Sequence, residues 1–271
     1  MPRKPIRRSP TPQPQVSSPP SRVALDRDAF RIAGLPAVRA LFAKRPEAVE
    51  RLYLDERLKG ETEELCRQLA RLHRPYRFVE AEELGRIGGS PLHGGILAIT
   101  RPPVVPAFDT EEAKLWAASG DPLVFLDGVG NPHNLGAIVR TLAFFGMPRL
   151  VISDSPDQAG PSESAWRVSE GGMEYVGIWR AVRLPIALKR LKDHFRVVGT
   201  ALGQGRVLRP QDLHRRGPRP IALVLGNEEH GLSSATLQAC EKVVTLSGAG
   251  NIQSMNVAAT AAILAFQMSQ D

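Results

Sequence analysis

The chain has 271 residues, of which 42% are hydrophobic and 23% charged, with a formal net charge of +7 and two cysteines. That length allows one or two domains with a real core, and the composition is that of an ordinary globular protein. No apolar run reaches the roughly 18–20 residues that span a bilayer, the start lacks the apolar stretch of a signal peptide, and Cys66 and Cys240 show no paired spacing. A membrane protein, a disulfide scaffold and a zinc site are therefore disfavoured, and a cytoplasmic location is expected.

Residues 1–25 hold seven prolines and the basic residues Arg3, Lys4, Arg7, Arg8 and Arg22 with no acid, which leaves only +2 for the rest. With almost no large apolar side chains, this stretch cannot offset its ordering entropy and is predicted to be a disordered tail. It reads either as a sequence-independent attraction for phosphates or as a solvated tail. Order is expected to begin near residues 26–31. Val38, Leu41 and Phe42 fall at helical spacing within 35–44, after a Gly34-Leu35-Pro36 entry, and 47–54 switches toward a strand. A helix fits 61–73, with Leu65, Leu69 and Leu72 on one stripe. A strand at 76–79, a short helix at 82–87 and a strand at 93–99 complete a small α/β module over residues 26–100.

Residues 101–120, opening on Arg101-Pro-Pro-Val-Val-Pro106, read as a linker in which 110–118 can form a short helix. From 121 to 271 strands and helices alternate. Strands are predicted at 122–128, 149–153, 175–179, 196–201, 220–225 and 242–246, with helices at 136–145, 164–171, 185–194, 233–240 and 257–266. This alternation predicts an α/β fold, a mainly parallel sheet with helices on both faces, and ligands at the carboxyl ends of its strands.

Three loops after predicted strands are rich in glycine and asparagine. The first reads Asn131-Pro-His-Asn134-Leu-Gly136-Ala-Ile-Val-Arg140-Thr141, with Asn134 in an N-cap position and Arg140 about a turn and a half further on. The second reads Leu225-Gly226-Asn227-Glu228-Glu229-His230-Gly231-Leu-Ser233. It lacks the Lys-Ser/Thr of a phosphate-binding P-loop, and no Gly-x-Gly-x-x-Gly dinucleotide fingerprint stands near 123–140, which disfavours a nucleotide triphosphatase or an ordinary dehydrogenase. The third reads Leu246-Ser-Gly-Ala-Gly250-Asn-Ile-Gln-Ser254-Met255-Asn256 and opens an alanine-rich helix. Glycines that admit close backbone approach and free N–H groups at a helix start fit a ligand loop, and they equally fit an ordinary helix start.

In their order and spacing the three loops resemble the motifs of the SpoU (TrmH) RNA ribose 2′-O-methyltransferases, over residues 122–268. More loosely, the first module resembles the small substrate-binding domain often fused ahead of that catalytic domain, through Gly34-Leu-Pro-Ala-Val38 and His93-Gly-Gly-Ile-Leu-Ala98. The resemblance implies a deep trefoil knot near the carboxyl end, S-adenosyl-L-methionine as cofactor, a homodimer and a structured RNA substrate, tRNA or rRNA. It implies cofactor contacts from Thr200, Leu225, Gly226, Asn227, Gly231, Leu246, Gly250 and Met255, and polar residues around the reacting ribose at Asn134, Arg140, Glu228, Ser254 and Asn256. Two positions depart from the family pattern: Asn131 replaces an Asp before proline, and Ser247-Gly248 replace a Pro-Met pair.

A sulfonium is already electrophilic, so such an enzyme mainly holds a hydroxyl in line and excludes water, and no metal is required. Arg140 is expected to anchor phosphate or ribose, because a guanidinium stays charged. Ser254 and Asn256 are expected to orient the hydroxyl and the loop, with Glu228 bracing. The altered loop and basic tail leave open an RNA-binding or assembly protein on a retired methyltransferase fold, and the superfamily leaves open a base-nitrogen methyltransferase.

Overall fold

The computed structural model describes residues 29–201, 205–209, 212–213 and 217–270. The stretch 1–25, expected to be disordered, lies outside the described residues.

The amino-terminal sheet is built from β1 (Phe30–Ala33), β2 (Arg51–Leu54), β3 (Tyr76–Phe78) and β4 (Ile96–Thr100), in the order β1-β4-β2-β3. β4 runs antiparallel to both β1 and β2, and β2 runs parallel to β3. Its helices are α1 (Leu35–Lys44), α2 (Lys59–Arg71) and α3 (Ala81–Gly88). Alternation along the strands sends Ile32, Leu52 and Leu54 into a core with Leu41, Leu65 and Leu69, while Tyr53, Leu97 and Ile99 pack with Leu84 on the other face. Gly34, at φ 95°, makes the turn into α1, and Pro36 sits in that helix's first turn, where its missing N–H costs nothing.

The carboxyl-terminal sheet has seven strands: β5 (Leu123–Asp127), β6 (Arg149–Ser153), β7 (Gly177–Ala181), β8 (Arg196–Thr200), β9 (Arg206–Val207), β10 (Ile221–Gly226) and β11 (Lys242–Thr245). Their order is β7-β6-β5-β10-β8-β11-β9, and all six pairings are parallel. The α/β fold with a mainly parallel sheet is thus the observed one. The central strand β10 is buried throughout, as a sheet covered on both faces requires. Val124, Leu126, Leu223 and Leu225 face α5 (Pro132–Phe144), α6 (Glu163–Ser169) and α9 (Val257–Ser269). Phe125, Val197, Ala222 and Val224 face α4 (Thr110–Ala118), α7 (Leu184–Leu191) and α8 (Ser234–Ala239).

Two strands, β1 and the two-residue β9, were not anticipated. The segment read as a linker contains α4, which buries Trp116, and Pro106–Phe108 runs beside β7 through bonds from Arg180 N–H to Pro106 O and from Phe108 N–H to Arg180 O. The two sheets share one continuous core. Phe30 meets Trp166 edge-on at 5.2 Å, Arg31 pairs with Glu163, and Arg45 pairs with Glu174.

Candidate functional site

Three loops leave the carboxyl ends of β5, its neighbour β10 and β11, which stands one strand further on beyond β8, and their common edge follows from the parallel sheet. The first, after β5, is held from both sides. Gly128 N–H and Val129 N–H donate to Gln158 Oε1 at 3.0 and 3.1 Å, and Gln158 Nε2 donates to the carbonyls of Val129 and Ala159 at 3.0 Å each. Asn227 Nδ2 donates to Gly128 O at 2.7 Å from the second loop. A buried glutamine with all four of its hydrogen-bonding positions used fixes a backbone that would otherwise carry unpaired polar groups.

The loop then enters α5 through Asn131, whose Oδ1 accepts from His133 N–H at 2.8 Å, with Pro132 opening the helix. Asn131 is the cap, and Asn134, expected in that role, lies inside the first turn. Proline at the first helical position decides between the two asparagines. Gly146, at φ 66°, follows the end of α5 as a C′ glycine should. Gly136 has a packing role: a Cβ there would come within 2.5 Å of Ala165 O, so its absence lets α5 and α6 touch.

Asn134 is nine-tenths buried and joins all three loops. Its Nδ2 donates to Glu228 Oε1 at 2.6 Å, and its Oδ1 accepts from Asn256 Nδ2 at 3.0 Å. Asn256 Oδ1 in turn caps α9 by accepting from Ala258 N–H and Ala259 N–H, and Glu228 Oε2 accepts from Gly130 N–H at 3.4 Å. The second loop closes on itself through the reciprocal bonds of Asn227 and Gly231, and Asn227 Oδ1 accepts from Glu229 N–H and His230 N–H. That closure needs Gly226, because a Cβ there would come within 2.5 Å of Leu232 N.

Between the second and third loops lies a cavity of about 460 Å³. Of the residues anticipated for the cofactor, Thr200, Gly226, Asn227, Gly231, Leu246, Gly250 and Met255 line it, whereas Leu225 is buried in β10 behind it. Glu228 and Ser254 also line it, and Asn134 and Asn256 stand directly behind Glu228 in the hydrogen-bonded chain. Arg140 does not line it. Six residues past Asn134 on α5, it faces another way, and its Nη2 lies 2.8 Å from Glu170 Oε2. Apolar lining from Val244, Val257 and Leu264 went unmarked in the sequence, since their burial looks like ordinary core. Gln158 also went unmarked, because its role depends on a loop nearly thirty residues upstream.

Charge around the site is arranged by burial and pairing. Burial works to raise the pKa of Asp212, but hydrogen bonds from Lys242 and Arg209 N–H, and the charges of Lys242 and Arg206, outweigh it and hold the carboxyl below its ordinary value. Asp212 thereby ties the segment after β8 to β11, the strand that feeds the third loop. Burial pushes the Cys240 thiol up to about 11, consistent with an inert, partly buried position behind Gly199.

The SpoU rRNA Methylase family matches residues 121–266, and the family described as RNA 2′-O ribose methyltransferase substrate binding matches residues 31–105. The 23S rRNA (guanosine-2′-O-)-methyltransferase RlmB of Acinetobacter baylyi is 31% identical over 242 residues, covering 86% of this chain and 94% of that protein. An uncharacterized tRNA/rRNA methyltransferase of Mycobacterium avium is 34% identical over 242 residues, covering 88% of this chain and 72% of that one. The fold is shared with the AdoMet-bound rRNA methyltransferase of Sinorhizobium meliloti, at a TM-score of 0.69 and 19% identity over 89% of this chain and 87% of that one. It is shared too with the SpoU methyltransferase AviRb of Streptomyces viridochromogenes in complex with AdoMet, at 0.67 and 19% over 89% and 90%. With both parts matched in order and relatives above 30% identity covered over more than two thirds of their length, the chain belongs to the SpoU rRNA methylase family.

Proposed function

We propose that this chain transfers a methyl group from S-adenosyl-L-methionine to a ribose 2′-hydroxyl of a tRNA or rRNA. The observation that carries the reading is the hydrogen-bonded chain Glu228–Asn134–Asn256, which locks three loops together beside a cavity of about 460 Å³. That volume lies within the roughly 300–1,000 Å³ of small-molecule sites. Its lining mixes apolar Val244, Leu246 and Leu264 with polar Thr200, Asn227 and Ser254, and Glu228 sets a carboxylate beside it, suited to a cofactor with an adenosine and a cationic sulfur.

When bound, the cofactor supplies an electrophilic methyl group on its sulfonium. Gly226, Leu246 and Met255 would hold it, and the apolar floor would exclude water. Asn256 has its Oδ1 engaged in capping α9 and its Nδ2 on Asn134, so it acts by fixing the loop that presents Ser254. Glu228 braces the first loop through Asn134 and Gly130. Arg140 remains a cation and anchors phosphate or ribose rather than taking the hydroxyl proton. The two departures from the family pattern are tolerated: Asn131 caps α5, a task for which Asn and Asp are equals, and Gly248 lines the cavity with nothing within 4 Å of where its Cβ would stand.

The same proposal includes a homodimer. α9 is mostly apolar: Leu264, Ala265 and Met268 face the core, while Ile263 and Phe266 are exposed, and Phe266 meets Phe145, the residue after α5, which in turn meets the exposed Phe144. An apolar patch of this kind asks for a partner, and a second copy would bring an Arg140 toward a cavity that its own chain's Arg140 does not line. The proposal extends to the trefoil knot, supported by the return of the chain after β11 to lay α9 against α5 and β10. It also extends to a division of labour in which residues 26–100 select the RNA and 121–271 carry out the transfer, joined by 101–120, in the cytoplasm. Among the described residues no helix is long and apolar enough to cross a membrane.

The test is calorimetry with S-adenosyl-L-methionine, followed by methylation of total RNA from cells lacking this protein and mass spectrometry of the digested nucleosides. Cofactor binding with ribose-methylated product is expected. No cofactor binding overturns the reading, and a base-methylated product moves it to a base-nitrogen methyltransferase.

A further inference from the structure

Arg140 is held from outside its own helix. Its Nη2 lies 2.8 Å from Glu170 Oε2, with both side chains about half exposed. Glu170 ends α6 in the left-handed conformation, φ 46° and ψ 44°, which costs a residue with a Cβ on the order of 1 kcal/mol. A glycine would end the helix without that cost, and two follow at once, Gly171 and Gly172. Capping alone therefore does not account for a glutamate at this position. Its carboxylate, aimed at Arg140, does.

The turn that carries Glu170 is itself fixed on two sides. A Cβ on Gly172 would come within 3.1 Å of Arg140 Cα, so the turn lies flush against the backbone of α5. Gly171 lies equally close to α1, where a Cβ would come within 3.1 Å of Pro36 O. Glu174 is buried and accepts from Arg45 Nε and Nη2 at 2.7 and 2.8 Å and from Trp166 Nε1 at 3.3 Å. One short turn thus touches Arg140 on one side and the amino-terminal module on the other.

We propose that Glu170 is a positioning residue for Arg140, and that the end of α1, through the Arg45–Glu174 pair made by the residue that follows the helix, braces the turn that carries it. The inference rests on the assignment of Arg140 to the transfer step. A half-exposed ion pair contributes little to stability, so the effect of Glu170 lies in the direction of the guanidinium. Direction matters because anchoring a ribose or phosphate for in-line attack tolerates only small misplacement.

The experiment compares full-length wild type with Glu170→Gly and Glu170→Gln, using labelled S-adenosyl-L-methionine and total RNA from cells lacking this protein. Glu170→Gly is expected to lower kcat on the order of tenfold with an unchanged or higher melting temperature, since glycine accepts the left-handed φ. Glu170→Gln retains an accepting oxygen and is expected to keep an intermediate kcat, with KM for the cofactor unchanged in both. A kcat in Glu170→Gly within twofold of wild type, or a fall that accompanies a lowered melting temperature, overturns the proposal. A second readout needs no turnover: the side-chain 15N signals of Arg140, assigned by their loss in Arg140→Lys, should be restricted in wild type and motionally averaged in Glu170→Gly. Identical signals in the two overturn the proposal as well. A wild type that transfers no methyl group refutes the functional reading instead, and the spectra still judge the positioning.

Discussion

The first and third loops at the carboxyl edge of the large sheet are held in opposite ways. Residues 128–131 are gripped by Gln158 on one side and Asn227 on the other, and they end on a capped helix. Among the described residues, no backbone hydrogen bond to another backbone group involves residues 247–255, and Ile252 and Met255 are exposed. The sequences look alike, both rich in glycine and asparagine, so composition does not separate them. What differs is the neighbour: a buried glutamine reaches the first, and a cavity adjoins the third. A rigid wall suits groups that must hold a hydroxyl in line, whereas an open wall suits the entry and release of a cofactor.

Breaking the rigid side should cost most. Asn134→Ala removes the link between Glu228 and Asn256, and turnover is expected to fall on the order of a hundredfold while circular dichroism stays native; a rate within threefold of wild type would refute its place in the machinery. Next come the supports. Gln158→Leu strands the amides of Gly128 and Val129 and should destabilise by about 1–3 kcal/mol, and Gly226→Ala should cost a similar 1–3 kcal/mol by forcing apart Gly226 and Leu232. Denaturant melts measure both. Acid should loosen the open side: because Asp212 is held below its ordinary value, its contribution to stability is complete above its unfolded pKa of about 4 and is lost as pH falls through the lowered value. Hydrogen-exchange protection at residues 206–208 and 242–245, taken relative to the intrinsic rate at each pH, should therefore fall on acidification, and Asp212→Asn should abolish that dependence. The smallest effect is expected from Gly248→Ala, within about 0.5 kcal/mol, because open space surrounds that position.

Much of the framework was legible in residues alone, although the contrast between the two loops was not. Alternating strands and helices announced the parallel sheet, and three loops with matched spacing pointed to the edge where the cavity lies. Local chemistry carried both, since turns, caps and buried strands are written in neighbouring residues. Asn134 was misread as the cap because two asparagines competed, and the decisive Pro132 lay between them. Gln158 and Glu170 stayed silent for a different reason. Each acts on a residue about thirty positions away, across a gap closed only when β6 and α6 pack beside β5 and α5.

The strip Pro106–Phe108 alongside β7 reaches beyond the site. A parallel sheet ends in strands whose unpaired amides and carbonyls invite another chain to add on. Here the connecting peptide covers the β7 edge, opening on a proline that has no N–H to offer. The segment that joins the two halves of the molecule is thus also a guard against edge-to-edge aggregation, and displacing it would expose a sticky border even though the shared core still holds the halves together.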